Sequence, residues 1–345
     1  MTDDNAELTA GELRLCIAGR LGRDKGYPCL FFHNKMEKPV SLIGAFPLGG
    51  ICMAKKKIIL DGIVVAKHVK DQLKNRIEDL KGKGVVPCLA TILVGDDPSS
   101  ETYVRMKGNA CEKLGILSKR IHMSTDTTTE ELLDKIAELN NDPSVHGILL
   151  QHPVPGHIDE RKAFEAIAIE KDVDGVTSLG YGQTAFGFGE YPSCTPAAIL
   201  EIMDYYKLEA EGKHAVVVGR SPILGKPVSA LLLNRNATVT TCHSYTQNLP
   251  QIVKQADLVV AAVGKPNFIK GEWLKEGAIV LDAGYNEGNI GDAEYDSCFE
   301  RAFAITPVPG GVGPVTISML LKHTVQAAEK AQNKEGIVNS QFIPN

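Results

Sequence analysis

The chain has 345 residues, 43% of them apolar and 6% aromatic, with a net charge of -5. That length allows two ordinary domains with real cores. No basic block or Lys/Arg-rich amphipathic stretch points to nucleic acid or a membrane surface, and no apolar run approaches the ~20 residues needed to span a bilayer. Eight scattered cysteines form no CxxC, and the histidines lack ligand spacing. No disulfide framework and no metal site are therefore expected, and a reducing, cytoplasmic setting is.

Residues 1–52 are broken by Gly and Pro and show no sustained helix or strand period. The opening "MTDDNAE" lacks the basic start of a signal peptide, and Asp3, Asp4, Glu7 and Glu12 argue against a transit peptide. The expectation is a non-core upstream extension from an early start codon, with Met53 in "MAKKKIILDG" as a second start.

From Met53 the pattern becomes regular. A helix is read over 63–82 and a buried strand over 88–95, "CLATILVG". A helix over 96–115 opens on Asp and Ser caps and closes on Gly115. "ILSKRIHM" is a second strand, 128–141 a helix, and "VHGILLQHP" a third strand. This β-α-β-α-β order implies parallel strands joined by right-handed crossovers.

After "PSCTP" a second series begins. Strands are read at 214–219, 237–242, 257–264 and 277–284, with helical segments between them. The fold class is therefore α/β: two domains around a cleft, the second a doubly wound, Rossmann-type parallel sheet. The boundaries read are 53–195 for the first domain, 196–305 for the second and 306–314 for a cleft loop. A last helix, about 315–332, is expected to pack back on the first domain.

The stretch "GRSPILG" (219–225) follows the run "HAVVV". A glycine at a strand end and another at a helix start let backbone approach a phosphate. The spacing of Gly219, Ser221 and Gly225 is not GxGxxG, and the plainer reading is a tight strand-to-helix turn. The next strand ends "TTCHSYT", without the acid that would hold a ribose 2′-hydroxyl. Arg220, His243, Ser244 and Thr246 offer cations and hydroxyls suited to a 2′-phosphate, which favours NADP over NAD.

Tyr103 and Lys107 lie four residues apart on one helix face. Alone they would be an ordinary surface pair. Gln151, however, stands at the C-terminal end of the third strand, where ligands of parallel sheets collect, and Asp174 follows in "KDVDG". A Lys, a Gln, an Asp and a Tyr are thus read as converging on one cleft. Lysine in a partly apolar cleft becomes usable for proton transfer, and a Gln partner offers both a donor and an acceptor. Asp172 is read as structural, pointing away from Asp174.

The chain resembles the bifunctional methylenetetrahydrofolate dehydrogenase/methenyltetrahydrofolate cyclohydrolase family. The resemblance rests on "YVRMK" (103–107), "GILLQHPVP" (147–155), "KDVDG" (171–175), "CTP" (194–196), "VVVGRSPILGKP" (216–227), "TVTTCHS" (238–244) and "TPVPGGVGPVT" (306–316). It implies oxidation of 5,10-methylenetetrahydrofolate by hydride transfer to NADP, then hydrolysis to 10-formyltetrahydrofolate, by a homodimer of two α/β domains. It casts Lys107 as the proton-transfer residue, Tyr103 as orienting the folate ring, Gln151 as positioning the lysine and Asp174 as gripping the pterin. It assigns Gly219, Arg220, Ser221 and Ser244 to NADP. The loop 309–313, with Pro309, Gly310 and Gly311, is implied to line the folate cleft. Two residues depart from the family: His152 stands where leucine is common, and Tyr285, on the nicotinamide side, where isoleucine is common.

Two other readings remain open at this level. One is an NADP-dependent dehydrogenase of another small metabolite, which would not need Tyr103, Lys107 and Gln151 together. The other is a non-enzymatic nucleotide sensor, which would tolerate loss of Lys107.

Overall fold

The computed structural model describes residues 57–340, with side chains through residue 333. The extension read at 1–52 lies outside the described residues. In chain order the first elements are β1 (Ile58–Ile59), α1 (Gly62–Gly82), β2 (Cys88–Val94), α2 (Pro98–Leu114), β3 (Leu117–Met123), α3 (Thr129–Asn141) and β4 (Gly147–Leu150). Three helices follow: α4 (Glu160–Glu165), α5 (Ser178–Ala185) and α6 (Cys194–Tyr205). The second series is β5 (His214–Val218), α7 (Gly225–Asn234), β6 (Thr238–Cys242), α8 (Leu249–Val253), β7 (Leu258–Ala261), β8 (Ile279–Asp282), α9 (Tyr295–Arg301), β9 (Ala304–Ile305) and α10 (Val312–Ser340).

Side-chain chemistry sets the helix starts. Asp61 caps α1 by accepting from the backbone N–H of Ile63 at 2.8 Å. Asp97 caps α2 through Ser100 N at 2.7 Å, Pro98 occupies the first turn, and Gly115 ends the helix in the left-handed conformation. Thr128 and Glu131 close a reciprocal capping box on α3. Each such cap is worth about 1 kcal/mol.

The first sheet has the order β3-β2-β4, all parallel, with Cys88 opposite Leu117 and Leu89 opposite Gly147. Central β2, "CLATILV", is buried along its whole length, as a strand covered on both faces must be. Edge strand β3 is mostly open and carries Lys119 and Arg120, which discourage edge-to-edge pairing.

The second sheet has the order β1-β9-β8-β7-β5-β6, again parallel throughout. The chain moves outward from β5 to β6, then returns to place β7 on the other side of β5. That reversal makes a crevice outside the C-terminal ends of β5 and β7. β1 pairs with β9 in this sheet before the chain enters α1, and Leu60 N donates to Ile305 O at 2.8 Å. Two-residue strands have no period to read, so neither β1 nor β9 is visible in the sequence.

Helix α10 packs against both α1 and α6. Arg76 and Glu329 form a two-pronged ion pair between α1 and α10 at 2.8 and 2.6 Å, and Lys322 binds Glu201 of α6 at 2.9 Å. One apolar cluster runs through Leu73, Ile77, Ile199, Val217, Leu281 and Leu321, which ties the helices to the second sheet. Each such side chain contributes roughly 1.5–3 kcal/mol on burial. No described helix is long and apolar enough to cross a membrane.

Candidate active site

Helix α2 presents Tyr103 and Lys107 on one face, both half-buried. Lys107 Nζ donates to Gln151 Oε1 at 3.1 Å. Gln151 follows β4 directly and is buried, and its backbone N–H donates to Ile92 O at 2.8 Å as an extension of the sheet ladder. Its side-chain amide donates from Nε2 to His152 O at 2.7 Å. That bond fixes which way the amide faces: the carbonyl oxygen must turn to the lysine, because the reverse would set donor against donor. His152 itself turns outward, with Nδ1 2.6 Å from Glu160 Oε1.

Asp172 is buried and accepts from Val176 N at 3.0 Å and Thr177 N at 2.9 Å, so its carboxylate shapes the turn. Burial pushes it above the ordinary carboxylate range, against the pull of those two donors. Asp174 is half-buried beside Cys194, whose N–H donates to the Asp174 carbonyl at 3.2 Å. The Cys194 thiol is held well above its usual value, first by burial and then by the Asp174 carboxylate, while Lys107 pulls the other way. Asp174 and Lys107 thus act on one buried sulfur. Behind it His323 of α10 donates from Nδ1 to Val173 O at 2.9 Å, with Cys194 Sγ 3.7 Å away. Complete burial pushes this imidazole down to about 4.

At the crevice of the second sheet, Gly219 ends β5 and Gly225 begins α7. A Cβ on Gly219 would strike Ala262 O, and one on Gly225 would strike Gly219 O. Backbone therefore meets backbone here, and only glycine fits. The Ser221 hydroxyl accepts from Gly225 N at 3.3 Å and supports the first turn of α7. Arg220 extends outward with its guanidinium 5.8 Å from the Tyr245 ring centre. Ser244 is exposed beside that ring. The two residue groups meet through Ser193, whose hydroxyl donates to Ile223 O of the glycine loop at 2.6 Å.

Tyr285, after β8, lies edge-on to Tyr103 with ring centres 6.2 Å apart. Burial raises the Tyr103 hydroxyl, and contact with the Tyr285 hydroxyl adds to the rise. The loop after β9 reaches the start of α1, where Gly62 N donates to Gly310 O at 2.9 Å; Gly311 is buried and Pro309 exposed. Lys107 and Gln151 form one contacting pair and Tyr103 and Tyr285 another, both carried on the face of α2, while Arg220, Ser221 and Ser244 lie apart on the second sheet. Sequence reasoning gave no role to Cys194, Ser193 or His323, nor to the buried carboxylates Asp282 and Asp292. The one available signal was an acid at the end of a strand, in "VLDAG". Among the described residues, no group of three or more His, Cys, Asp or Glu could hold a metal ion. Two surface hollows, beside Asp134 and beside Glu209, contain none of these residues.

A doubly wound nucleotide-type sheet joined to a second α/β lobe that carries a lysine–glutamine pair marks the class as a two-domain α/β oxidoreductase. The family model for the tetrahydrofolate dehydrogenase/cyclohydrolase catalytic domain matches residues 60–174, and that for its NAD(P)-binding domain matches residues 193–332. The bifunctional protein FolD of Shouchella clausii is 73% identical over 274 residues, 79% of this chain and 98% of that protein. The FolD of Saccharophagus degradans is 61% identical over the same shares. Among solved structures, the Campylobacter jejuni FolD dehydrogenase/cyclohydrolase superimposes with a TM-score of 0.78 at 43% identity, covering 79% of this chain and 99% of that one. The Trypanosoma brucei FolD, solved with NADP and an inhibitor, gives 0.76 at 37% identity, covering 80% and 98%. The chain belongs to the tetrahydrofolate dehydrogenase/cyclohydrolase family and is a bifunctional enzyme of one-carbon folate metabolism.

Proposed function

We propose that the chain oxidises 5,10-methylenetetrahydrofolate with NADP and then hydrolyses the methenyl product to 10-formyltetrahydrofolate, with Lys107 moving the proton in the second step. The observation that carries this reading is the 3.1 Å bond from Lys107 to a Gln151 amide whose orientation is already fixed.

The nucleotide, when bound, supplies the hydride acceptor. Gly219, Arg220, Ser221 and Ser244 are the residues to hold it. Gly219 and Gly225 leave the backbone bare for a phosphate to approach, and Arg220 and Ser244 offer the cation and the hydroxyl that a 2′-phosphate needs. For the folate, Tyr103 offers an aromatic face and Asp174 a carboxylate for the amino-pyrimidine edge. The wall at Pro309, Gly310 and Gly311 admits a flat ring.

Hydrolysis begins when water adds to the methenyl carbon. The methenyl compound is a cation, so one proton of that water passes to the nitrogen freed when the ring carbon–nitrogen bond breaks, and the other is released to solvent as the formyl C=O forms. Lys107 is placed to take the first proton and return it to that nitrogen, and Gln151 holds its Nζ toward the cleft. The reading includes a homodimer, a cytoplasmic setting and a division into a folate domain (53–195 with α10) and an NADP domain (196–305). Following methenyl formation optically with NADP and with NAD, then its decay after the nucleotide is removed, tests both steps. Decay no faster than in buffer would reject the cyclohydrolase half.

A further inference from the structure

Two fully or nearly buried carboxylates, Asp282 and Asp292, stand between the exits of β7 and β8. Asp292 accepts from three successive backbone N–H groups, Val263 at 2.6 Å, Gly264 at 2.8 Å and Lys265 at 2.9 Å, and from Asn286 Nδ2 at 3.0 Å. Asp282 in turn accepts from Asp292 N at 3.0 Å, Ala293 N at 2.8 Å and Gly284 N at 2.9 Å. Its own N–H donates to Thr306 Oγ1 at 2.7 Å, at the root of the 306–311 loop.

A run of three backbone N–H groups converging on one point is an anion-binding concavity. Here the chain supplies the anion itself, so the run serves to fix the loop and cannot hold a phosphate. The loop is not remote. Ala262, one residue before it, is the backbone against which Gly219 of the phosphate loop is packed. Asn286, the fourth donor, directly follows Tyr285, which touches Tyr103 across the cleft. Burying two carboxylates is costly unless their oxygens are satisfied, and here they fix the loop leaving β7, one of the two strands that flank the reversal point of the sheet, where nucleotides bind in doubly wound folds.

We propose that Asp292, oriented by Asp282, is a positioning residue for the nicotinamide nucleotide: it holds the backbone of 263–265 and the segment at 284–286 as the two fixed walls of the cofactor crevice. This rests on the reading that NADP binds there. The charge matters as well as the shape, because an amide at position 292 offers one acceptor oxygen for three N–H groups and turns an NH2 toward the rest.

The test is Asp292→Asn in the full chain, with three readouts: NADP affinity by calorimetry, dehydrogenase kcat and KM for NADP, and hydrolysis of methenyltetrahydrofolate without nucleotide. Hydrogen bonds to a charged acceptor predict a rise in NADP Kd and KM of about 10–100-fold, with hydrolysis at the parent rate. Unchanged NADP affinity would overturn the inference, and so would a parallel loss of both activities and of thermal stability, the mark of a merely structural pair. If Asp292→Asn does not fold, Asn286→Ala removes one donor and leaves both carboxylates. It is expected to raise the NADP Kd by a smaller factor, and no rise would equally overturn the inference. Failure of the parent protein to bind NADP would sink the functional reading itself; binding by the parent with equal binding by the variant sinks this inference alone.

Discussion

Lys107 and Gln151, 44 residues apart in the chain, meet at 3.1 Å because α2 lies over the sheet whose last strand, β4, runs directly into Gln151. The amide is locked by its second bond to His152 O. Lys107→Met keeps the length and apolar stem but removes the proposed proton carrier. The expected outcome is loss of cyclohydrolase turnover by about 100-fold or more, with much of the dehydrogenase rate kept, since hydride transfer depends on placement more than on proton relay. Decay of the methenyl chromophore measures it. Hydrolysis at the parent rate would remove Lys107 from the mechanism.

Arg220 makes its one described ring contact with Tyr245 and otherwise faces outward. Only NADP carries a 2′-phosphate for it to reach. Arg220→Ala should therefore weaken NADP about 10–100-fold while NAD binding stays near its parent value. Titration with each nucleotide decides it, and equal losses would make Arg220 a structural residue of the turn.

Gly225 leaves no room for a side chain, since an added Cβ would meet the Gly219 carbonyl, which is backbone and cannot swing away. Gly225→Ala should cost about 1–3 kcal/mol of stability by overpacking. It should also push the glycine loop outward and weaken NADP and NAD alike, unlike Arg220→Ala. Denaturant midpoints and the two nucleotide affinities check this; an unchanged midpoint would mean that the turn relaxes freely.

Local chemistry made much of this molecule readable. The sequence reading of α2 over 96–115 differs from the observed Pro98–Leu114 only at the caps, because Asp97 and Gly115 are self-contained signals. The buried strands β2, β5 and β7 declare themselves by apolar runs, broken only by Thr91 in β2 and preceded by His214 in β5. What stayed hidden depends on distant partners. β1 exists only because β9, some 246 residues later, offers an edge. Cys194 and His323 look like ordinary core residues until α10 brings one against the other behind Asp174. Asp292 reads as a turn residue in "NIGDAEY", and only the fold shows three N–H groups of another loop turned onto it.

Asp282 and His323 give stability an unusual acid response. Burial pushes Asp282 up from 3.8 to about 6, so its contribution to stability is full below about pH 4 and is lost as pH rises through 6. His323 is pushed down from 6.5 to about 4, so it folds neutral, and its contribution is full above 6.5 and is lost as pH falls through 4. Each shift corresponds to roughly 3 kcal/mol. Between pH 4 and 6 the two trends oppose one another, and these groups leave the parent nearly flat. Asp282→Asn removes the first trend and leaves the second, so the variant should lose stability more steeply than the parent as pH falls from 6 to 4. His323→Gln should do the reverse, gaining on the parent over the same interval. Urea midpoints at pH 4.5, 6 and 7.5 measure the slopes, whatever constant each substitution costs. Curves that run parallel to the parent's across that window would show that neither side chain changes its proton affinity on folding.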